Sequence, residues 1–132
     1  MKNRILLAII VINITITSLH YTDNAWFIDL YPEPEWLSTS RVFITWGIMT
    51  IIALISYWLY VQKNYWLSYL SLIIYSITGL SSPTHYLYGG LSEFTFKMHC
   101  LIWSDFIVGL SVIGFIMWSG LIKREWQQNV SY

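Results

Sequence analysis

Three histidines and a few carboxylates are the residues of this chain whose types could do chemistry. His85 and His99 lie within residues 83–105, a stretch that ends in the carboxylate of Asp105, whereas His20 ends a separate apolar segment. Imidazole and carboxylate groups can exchange protons near neutral pH or bind a transition metal. The sequence therefore predicts an acid–base site or a metal site, provided that the fold brings these residues together.

The composition indicates the environment in which such a site would lie. Of the 132 residues, 56% are hydrophobic and only 11% are charged, whereas soluble domains average about 25% charged residues. The eight Trp and ten Tyr are of the types that concentrate at membrane interfaces. A water-soluble domain of this size could not bury so much apolar surface. We therefore expect an integral membrane protein, and the net charge of zero gives no reason to expect a nucleic-acid partner.

Four long apolar segments predict one domain, residues 1–132, with an all-α fold: a polytopic membrane four-helix bundle. Each segment is long enough for a bilayer, which needs about 17–25 residues. Between the first two segments, residues 23–40 are rich in acids and aromatic rings and contain two prolines, which predicts an interfacial loop. Pro83 is expected to kink the third helix. The predicted helices cover about residues 3–22, 41–62, 65–88 and 94–122.

The basic residues predict the orientation of these four helices. Most of them fall on the side of the two termini, and the positive-inside rule then places both termini in the cytoplasm. All three histidines and six of the seven acids lie in the opposite, outer half. The basic residues on the terminal side are Lys2, Arg4, Lys63, Lys123 and Arg124, and those on the other side are Arg41 and Lys97.

Asp105 is the residue that most needs a partner in this arrangement. An isolated carboxylate within a membrane span costs about 2.5–3.5 kcal/mol on insertion scales. It should therefore be protonated, paired or coordinated inside the bundle. His20, His85 and His99 lie near the outer ends of three different helices, so a pocket formed by these residues is the natural prediction.

One interpretation of this pocket is structural. His20 would pair with Asp23, three residues away on the same helical face, and His85 or His99 would pair with Asp105. Such pairs fix helix packing in membranes. The chain would then be a non-catalytic accessory subunit of a larger membrane complex.

A second interpretation is a metal site. His20, Asp23, His85 and His99 offer four donors suited to zinc, copper or iron, with Asp105 orienting a ligand or adding a fifth. A haem held between His20 and His99 is a less favoured form of the same idea. No metal-binding motif with a recognised spacing accompanies these residues.

A third interpretation is a pocket for a small lipophilic ligand. Asp105 and His99 are the candidate catalytic residues, because a buried carboxylate beside an imidazole can transfer protons. The candidate ligand-binding residues are His20, Asp23, His85, Tyr86 and Trp103.

Short stretches along the chain resemble the EXPERA family, which includes the emopamil-binding sterol isomerase and the sigma-2 receptor. The stretches are His20, followed by Asp29-Leu30, Tyr31-Pro32 and Glu33-Pro34-Glu35-Trp36, and Ile73-Ile74-Tyr75-Ser76 in the third helix. The resemblance implies a membrane bundle of four or five helices and a lipid or sterol-like ligand.

Two features depart from that family. His20 is followed by Tyr21 rather than by a His-x-Pro pattern, and residues 41–62 contain no acid where the family has one in its second helix. The resemblance therefore implies ligand binding more than isomerase chemistry.

Overall fold

Four α-helices form the structure, a computed structural model that describes residues 2–129, with side chains as far as Gln127. The prediction of an all-helical chain with four helices is confirmed, and no strand occurs in this range. A π-helical turn, Trp118–Ile122, continues the last helix, and four short 3₁₀ segments cover Ile28–Leu30, Ser82–Leu87, Leu91–Glu93 and Glu125–Asn129. The helices are α1 Lys2–Trp26, α2 Thr39–Val61, α3 Tyr65–Leu80 and α4 Phe96–Met117.

The helices form a closed ring in which each packs against the next and α4 packs against α1. The end of α1 meets the start of α4 through His20 and Asp105, and the end of α2 joins the start of α3 by a short turn. The bundle therefore has two ends. The histidine end contains the three histidines, and the terminal end contains Lys2 and Glu125.

The bundle exposes many large apolar side chains, and its interior combines an apolar core with several buried polar side chains. The outer surface exposes large apolar side chains such as Ile12, Ile44 and Leu70, while the interior contains polar ones such as Asn13, Ser56 and Asp105. α1, α2 and the stretch Phe96–Ile122 are long and apolar enough to cross a membrane. α3 has 16 residues, or about 24 Å, and is shorter than these three.

α3 ends at Leu80, eight residues before the predicted end, and the predicted kinked helix through residue 88 is wrong. Pro83 lacks the N–H that would bond to the carbonyl of Gly79, so the α-helix stops and the tighter turn Ser82–Leu87 follows. This turn packs against α4. Because α3 ends at Leu80, Ser82 and His85 lie in this turn at the histidine end of the bundle.

α1 and α4 also differ from their predicted bounds at the histidine end. α1 continues to Trp26 and so carries Asp23 and Asn24 on a helix. α4 begins at Phe96, because the Oγ1 of Thr95 accepts a hydrogen bond from the N–H of Met98 at 3.2 Å and caps the helix.

α3 and α4 approach each other most closely at two glycines just below Asp105. A Cβ placed on Gly79 would lie 2.6 Å from the carbonyl oxygen of Asp105, and one on Gly109 would lie 3.1 Å from the backbone nitrogen of Leu80. Only glycine allows this backbone contact. The contact holds the top of α3, and with it Ser82, against α4.

Glu125 follows the last predicted helix and is buried at the terminal end of the bundle. Its carboxylate accepts hydrogen bonds from Tyr60 and Ser119 and forms an ion pair with Lys2. Burial by itself would raise the pKa of Glu125, but the hydrogen bonds from Lys2, Ser119 and Tyr60 outweigh it and hold that pKa below its usual value. The contact ties the start of α1 to the segment that follows α4.

Candidate functional site

Asp105 and His20 form the centre of the candidate site. Asp105 on α4 is fully buried, and its Oδ2 lies 2.8 Å from Nδ1 of His20, which is 2% exposed on α1. The hydroxyl of Ser82 donates to the same Oδ2 at 2.6 Å. Asp105 is thus paired, as expected, but its partner is His20 rather than His85 or His99.

This pairing leaves one nitrogen of the His20 ring for other chemistry. A carboxylate that accepts from Nδ1–H fixes the ring orientation and leaves Nε2 as an acceptor. Within residues 2–127 neither Nε2 of His20 nor Oδ1 of Asp105 has a hydrogen-bond partner. A ligand group or a water that donates to Nε2 would satisfy the His20 ring.

A second imidazole lies beside the first. The ring centroids of His85 and His20 are 5.3 Å apart. Nδ1 of His85 lies 2.8 Å from Oε1 of Glu33, without the alignment of a hydrogen bond, and Nδ2 of Asn24 donates to the same oxygen at 3.0 Å. Two imidazoles, each next to a carboxylate, therefore stand side by side.

Both imidazoles line a cavity of about 210 Å³ between α1, α2 and the turn after α3. Trp36, Leu37 and Val42 form its apolar wall, and its polar wall includes Asn24 and Thr78. None of its lining residues in the described part of the chain is Lys or Arg. The cavity thus combines a hydrocarbon surface with a few hydrogen-bonding groups and two flanking carboxylates.

Asp23, a predicted ligand-binding and metal-binding residue, lies outside this cavity. Its carboxylate forms an ion pair with Lys97 and accepts a hydrogen bond from the hydroxyl of Tyr31 at 2.9 Å. Burial, together with the neighbouring Asp23, raises the pKa of Tyr31, although a hydrogen bond with Thr95 lowers it. Asp23 therefore ties α1 to the loop and to α4, and its predicted pairing with His20 is wrong.

His99, Tyr86 and Trp103 also lie outside the cavity lining. Nδ1 of His99 is 2.8 Å from the hydroxyl of Tyr86, and its Nε2 is 3.1 Å from the carbonyl oxygen of Leu91, so both ring nitrogens are engaged. Trp103 is 50% exposed and packs its ring against Phe106. The structure therefore places His20, rather than the predicted His99, beside Asp105.

The predicted metal ligands are not assembled into one site. His20, Asp23, His85 and His99 each face a different partner, and residues 2–127 contain no group of three or more His, Cys, Asp or Glu side chains arranged to hold a metal ion. A haem held between His20 and His99 stays a prediction, and the ring nitrogens of His99 contact Tyr86 and Leu91.

Sequence reasoning missed Asn24, Glu33 and Ser82. The signal for Asn24 was available, since it lies four residues after His20 and shares a helical face with it once α1 is extended. Glu33 reaches His85 only through the fold of the loop, and no local pattern predicts that contact. Ser82 depends on the early end of α3.

Comparison of the chain with protein families, with curated proteins and with solved structures finds no match. The resemblance of residues 20–36 and 73–76 to the EXPERA family stays a prediction.

Proposed function

We propose that this protein is a multi-pass membrane protein that binds a small amphiphilic ligand in the His20–His85 cavity and exchanges a proton with it. All four helices would cross the bilayer, with both termini in the cytoplasm and the histidine end on the outer side. The observation that carries the proposal is the buried Asp105–His20 pair, because Nε2 of His20 has no hydrogen-bond partner within residues 2–127 and His20 lines a cavity.

The chemistry of the cavity limits the ligand to a class. At about 210 Å³ the cavity is smaller than typical ligand sites of about 300–1,000 Å³, so it suits a polar head with a short apolar part. Trp36 and Thr45 are exposed and line the cavity, which therefore reaches the outer surface. A lipid-derived or sterol-like molecule would donate its hydroxyl group to Nε2 of His20 and leave its hydrocarbon part in the bilayer.

Proton exchange follows from the way the two rings are held. A proton leaving the ligand would bind to Nε2 of His20, and the carboxylate of Asp105 would stabilise the resulting imidazolium. Ser82 keeps that carboxylate in place. His85, backed by Glu33, is a second imidazole within reach of the same ligand.

Lipid extraction and mass spectrometry of the purified protein test this proposal. Wild type and His99→Ala, a histidine control outside the cavity, should carry the same bound molecule. His20→Ala, which removes the acceptor, should reduce its amount about two- to twelvefold, since one buried hydrogen bond is worth about 0.5–1.5 kcal/mol. Thr45→Trp, which fills the rim of the cavity, should reduce it as well.

Equal recovery of the molecule from all four proteins, or recovery from none, would contradict ligand binding. Absence of any bound molecule, together with a loss of thermal stability in His20→Ala alone, would instead assign the Asp105–His20 pair to helix packing in an accessory subunit.

A further inference from the structure

Two hydrogen-bond acceptors on residues of the His20–His85 cavity have no partner. Nε2 of His20 is an acceptor once Nδ1–H donates to Asp105, and within residues 2–127 neither this nitrogen nor Oδ1 of Asn24 has a hydrogen-bond partner. His20 is 2% exposed and Asn24 is 5% exposed, and both line the cavity. Because buried polar atoms without partners are rare, the two acceptors indicate a bound group that donates to both.

The contact with Glu33 fixes which atom of the Asn24 amide is left over. An ionised carboxylate only accepts hydrogen bonds, so the amide nitrogen must face Glu33, and Nδ2 donates to Oε1 of Glu33 at 3.0 Å. A flip that exchanges the amide oxygen and nitrogen would break this contact. The atom of Asn24 without a partner is therefore an acceptor, as it is in His20.

The spacing of the two residues lets one small head group reach both acceptors. His20 and Asn24 lie four residues apart on α1 and share one face of the helix, where Cβ atoms are about 5–6 Å apart. Each hydrogen bond spans about 2.9 Å between heavy atoms. Two hydroxyl groups on neighbouring carbon atoms carry their donors on separate oxygens, which matches two acceptors on separate side chains.

The rest of the cavity wall favours a neutral head group. The hydroxyls of Thr78, Ser81 and Thr84 already donate to backbone carbonyl oxygens, and that of Ser82 donates to Asp105. None of the lining residues in the described part of the chain is Asp, Glu, Lys or Arg. The wall therefore offers no ionic partner to an ammonium or a phosphate group.

We propose that the ligand of the His20–His85 cavity has a neutral 1,2-diol head, as a monoacylglycerol does, and that Asn24 recognises its second hydroxyl. The first hydroxyl donates to Nε2 of His20, and the second donates to Oδ1 of Asn24. The acyl chain leaves the cavity past Trp36 and Thr45, which are exposed lining residues. This inference rests on the proposed ligand binding and narrows the ligand from any hydroxyl-bearing amphiphile to a diol.

Native mass spectrometry of the protein in detergent micelles tests the diol with two probes that differ by one hydroxymethyl group, 1-monooleoylglycerol and 2-hydroxyethyl oleate. When both are added in equal amounts, wild type should bind the diol about two- to twelvefold more than the single alcohol, the value of one further hydrogen bond. Asn24→Leu, which removes the acceptor at similar volume, should bind both probes equally. Asn24→Ala removes the same acceptor without adding bulk and should also lose the preference.

Matched controls separate recognition by Asn24 from a general loss of binding. Asn3→Leu makes the same exchange at an exposed position at the other end of α1 and should keep the preference for the diol. His20→Ala should weaken the binding of both probes, because both donate a hydroxyl to Nε2.

The outcomes distinguish this inference from the proposed function. Equal binding of the two probes by wild type, or a preference for the diol that persists in both Asn24 variants, would overturn the role of Asn24 while His20→Ala still weakened both probes. Preferential binding of oleylamine over 1-monooleoylglycerol would overturn the neutral head group. Absence of both probes from wild type, or undiminished binding by His20→Ala, would overturn the proposed function together with this inference.

Discussion

A buried carboxylate is stable when its oxygens are hydrogen-bonded, and Asp105 has donors on only one of them. His20 and Ser82 both bind Oδ2, whereas Oδ1 has no partner in the described part of the chain. Buried polar atoms without partners are rare, and each one needs a reason. A site that holds a ligand or water provides that reason, since the missing partner belongs to the bound state.

The Asp105–His20 pair should behave as one unit when it is mutated. Removing one partner of a buried hydrogen bond leaves the other unsatisfied and costs about 1–3 kcal/mol, or more for a charged group, so Asp105→Ala and His20→Ala should each lower the free energy of unfolding by about that amount. The double variant should lose much less than the sum, because neither side chain is then left alone. Denaturant unfolding in mixed micelles measures this cycle.

Asp29→Ala is the matched control for that cycle, because Asp29 is exposed in the loop. It should leave the free energy of unfolding within about 0.5 kcal/mol of wild type. Strict additivity of Asp105→Ala and His20→Ala would contradict the pairing.

Glu125 makes the stability of the protein depend on pH in a definite direction. Its pKa in the folded protein lies below the ordinary value of about 4.3, so its favourable contribution is complete above that value. The contribution is lost as the pH falls through the folded pKa. Thermal unfolding between pH 7 and pH 3 should therefore show a steeper loss for wild type than for Glu125→Gln; parallel curves would contradict the assigned ion pair with Lys2.

The sequence predicted that Asp105 would need a partner, because the cost of an isolated carboxylate in an apolar span is general. It could not predict which histidine, because the three lie at a similar height in the bundle. The end of α3 at Leu80 was not predicted either, and it brings Ser82 to Asp105 beside His20. The sequence places His99 and His20 at a similar height in the bundle, but the ring of His99 contacts the hydroxyl of Tyr86 instead of Asp105.

Backbone contact, as well as side-chain contact, fixes how α3 packs against α4. Gly79 and Gly109 let the backbones of α3 and α4 touch next to Asp105. Small residues at helix contacts are typical of membrane bundles, where close packing replaces the hydrophobic effect between helices.

Gly79→Ala should destabilise the protein, and Gly114→Ala should not. A Cβ on Gly79 would lie 2.6 Å from the carbonyl oxygen of Asp105, so the helices must separate, at about 1–3 kcal/mol. Nothing lies within 4 Å of a Cβ on Gly114, and alanine has the higher helix propensity there. Thermal unfolding of the two variants gives the comparison, and equal melting temperatures would contradict the close contact.

Helix existence was easier to predict than helix ends. Long apolar runs predict four helices whatever residues cap them. Pro83 was expected to kink α3, but the α-helix ends at Leu80 and a tighter 3₁₀ turn that contains Pro83 follows. α4 begins at Phe96 rather than at the predicted residue 94, because Thr95 caps it after the Leu91–Glu93 turn.

At the scale of the whole molecule, the apolar outer surface and the three helices long and apolar enough to cross a membrane indicate a membrane protein. Exposed residues such as Val11 and Ile77 lie on the outside, while Asn13, Ser68 and Ser76 are inside. Composition predicted this arrangement, because so few charges cannot cover a soluble surface. The proposed orientation, with both termini in the cytoplasm, rests on the distribution of the basic residues.

Cysteine labelling tests the proposed orientation. In a Cys100→Ser background, Ser92→Cys at the histidine end should react with an impermeant maleimide on intact cells. Gln62→Cys at the terminal end should react only after the membrane is opened, because the positive-inside rule places it in the cytoplasm. The opposite pattern would reverse the orientation, and reaction of both on intact cells would contradict four spans.

The most direct test of the site is a solid-state NMR measurement of histidine ring contacts in the bilayer-embedded protein. The structure predicts that the rings of His20 and His85 lie side by side at about 5.3 Å, with Nδ1 of His20 hydrogen-bonded to the carboxylate of Asp105 and His99 in contact with Tyr86 instead. Rings of His20 and His85 that are far apart, or a His20 ring without contact to Asp105, would contradict the proposed cavity site.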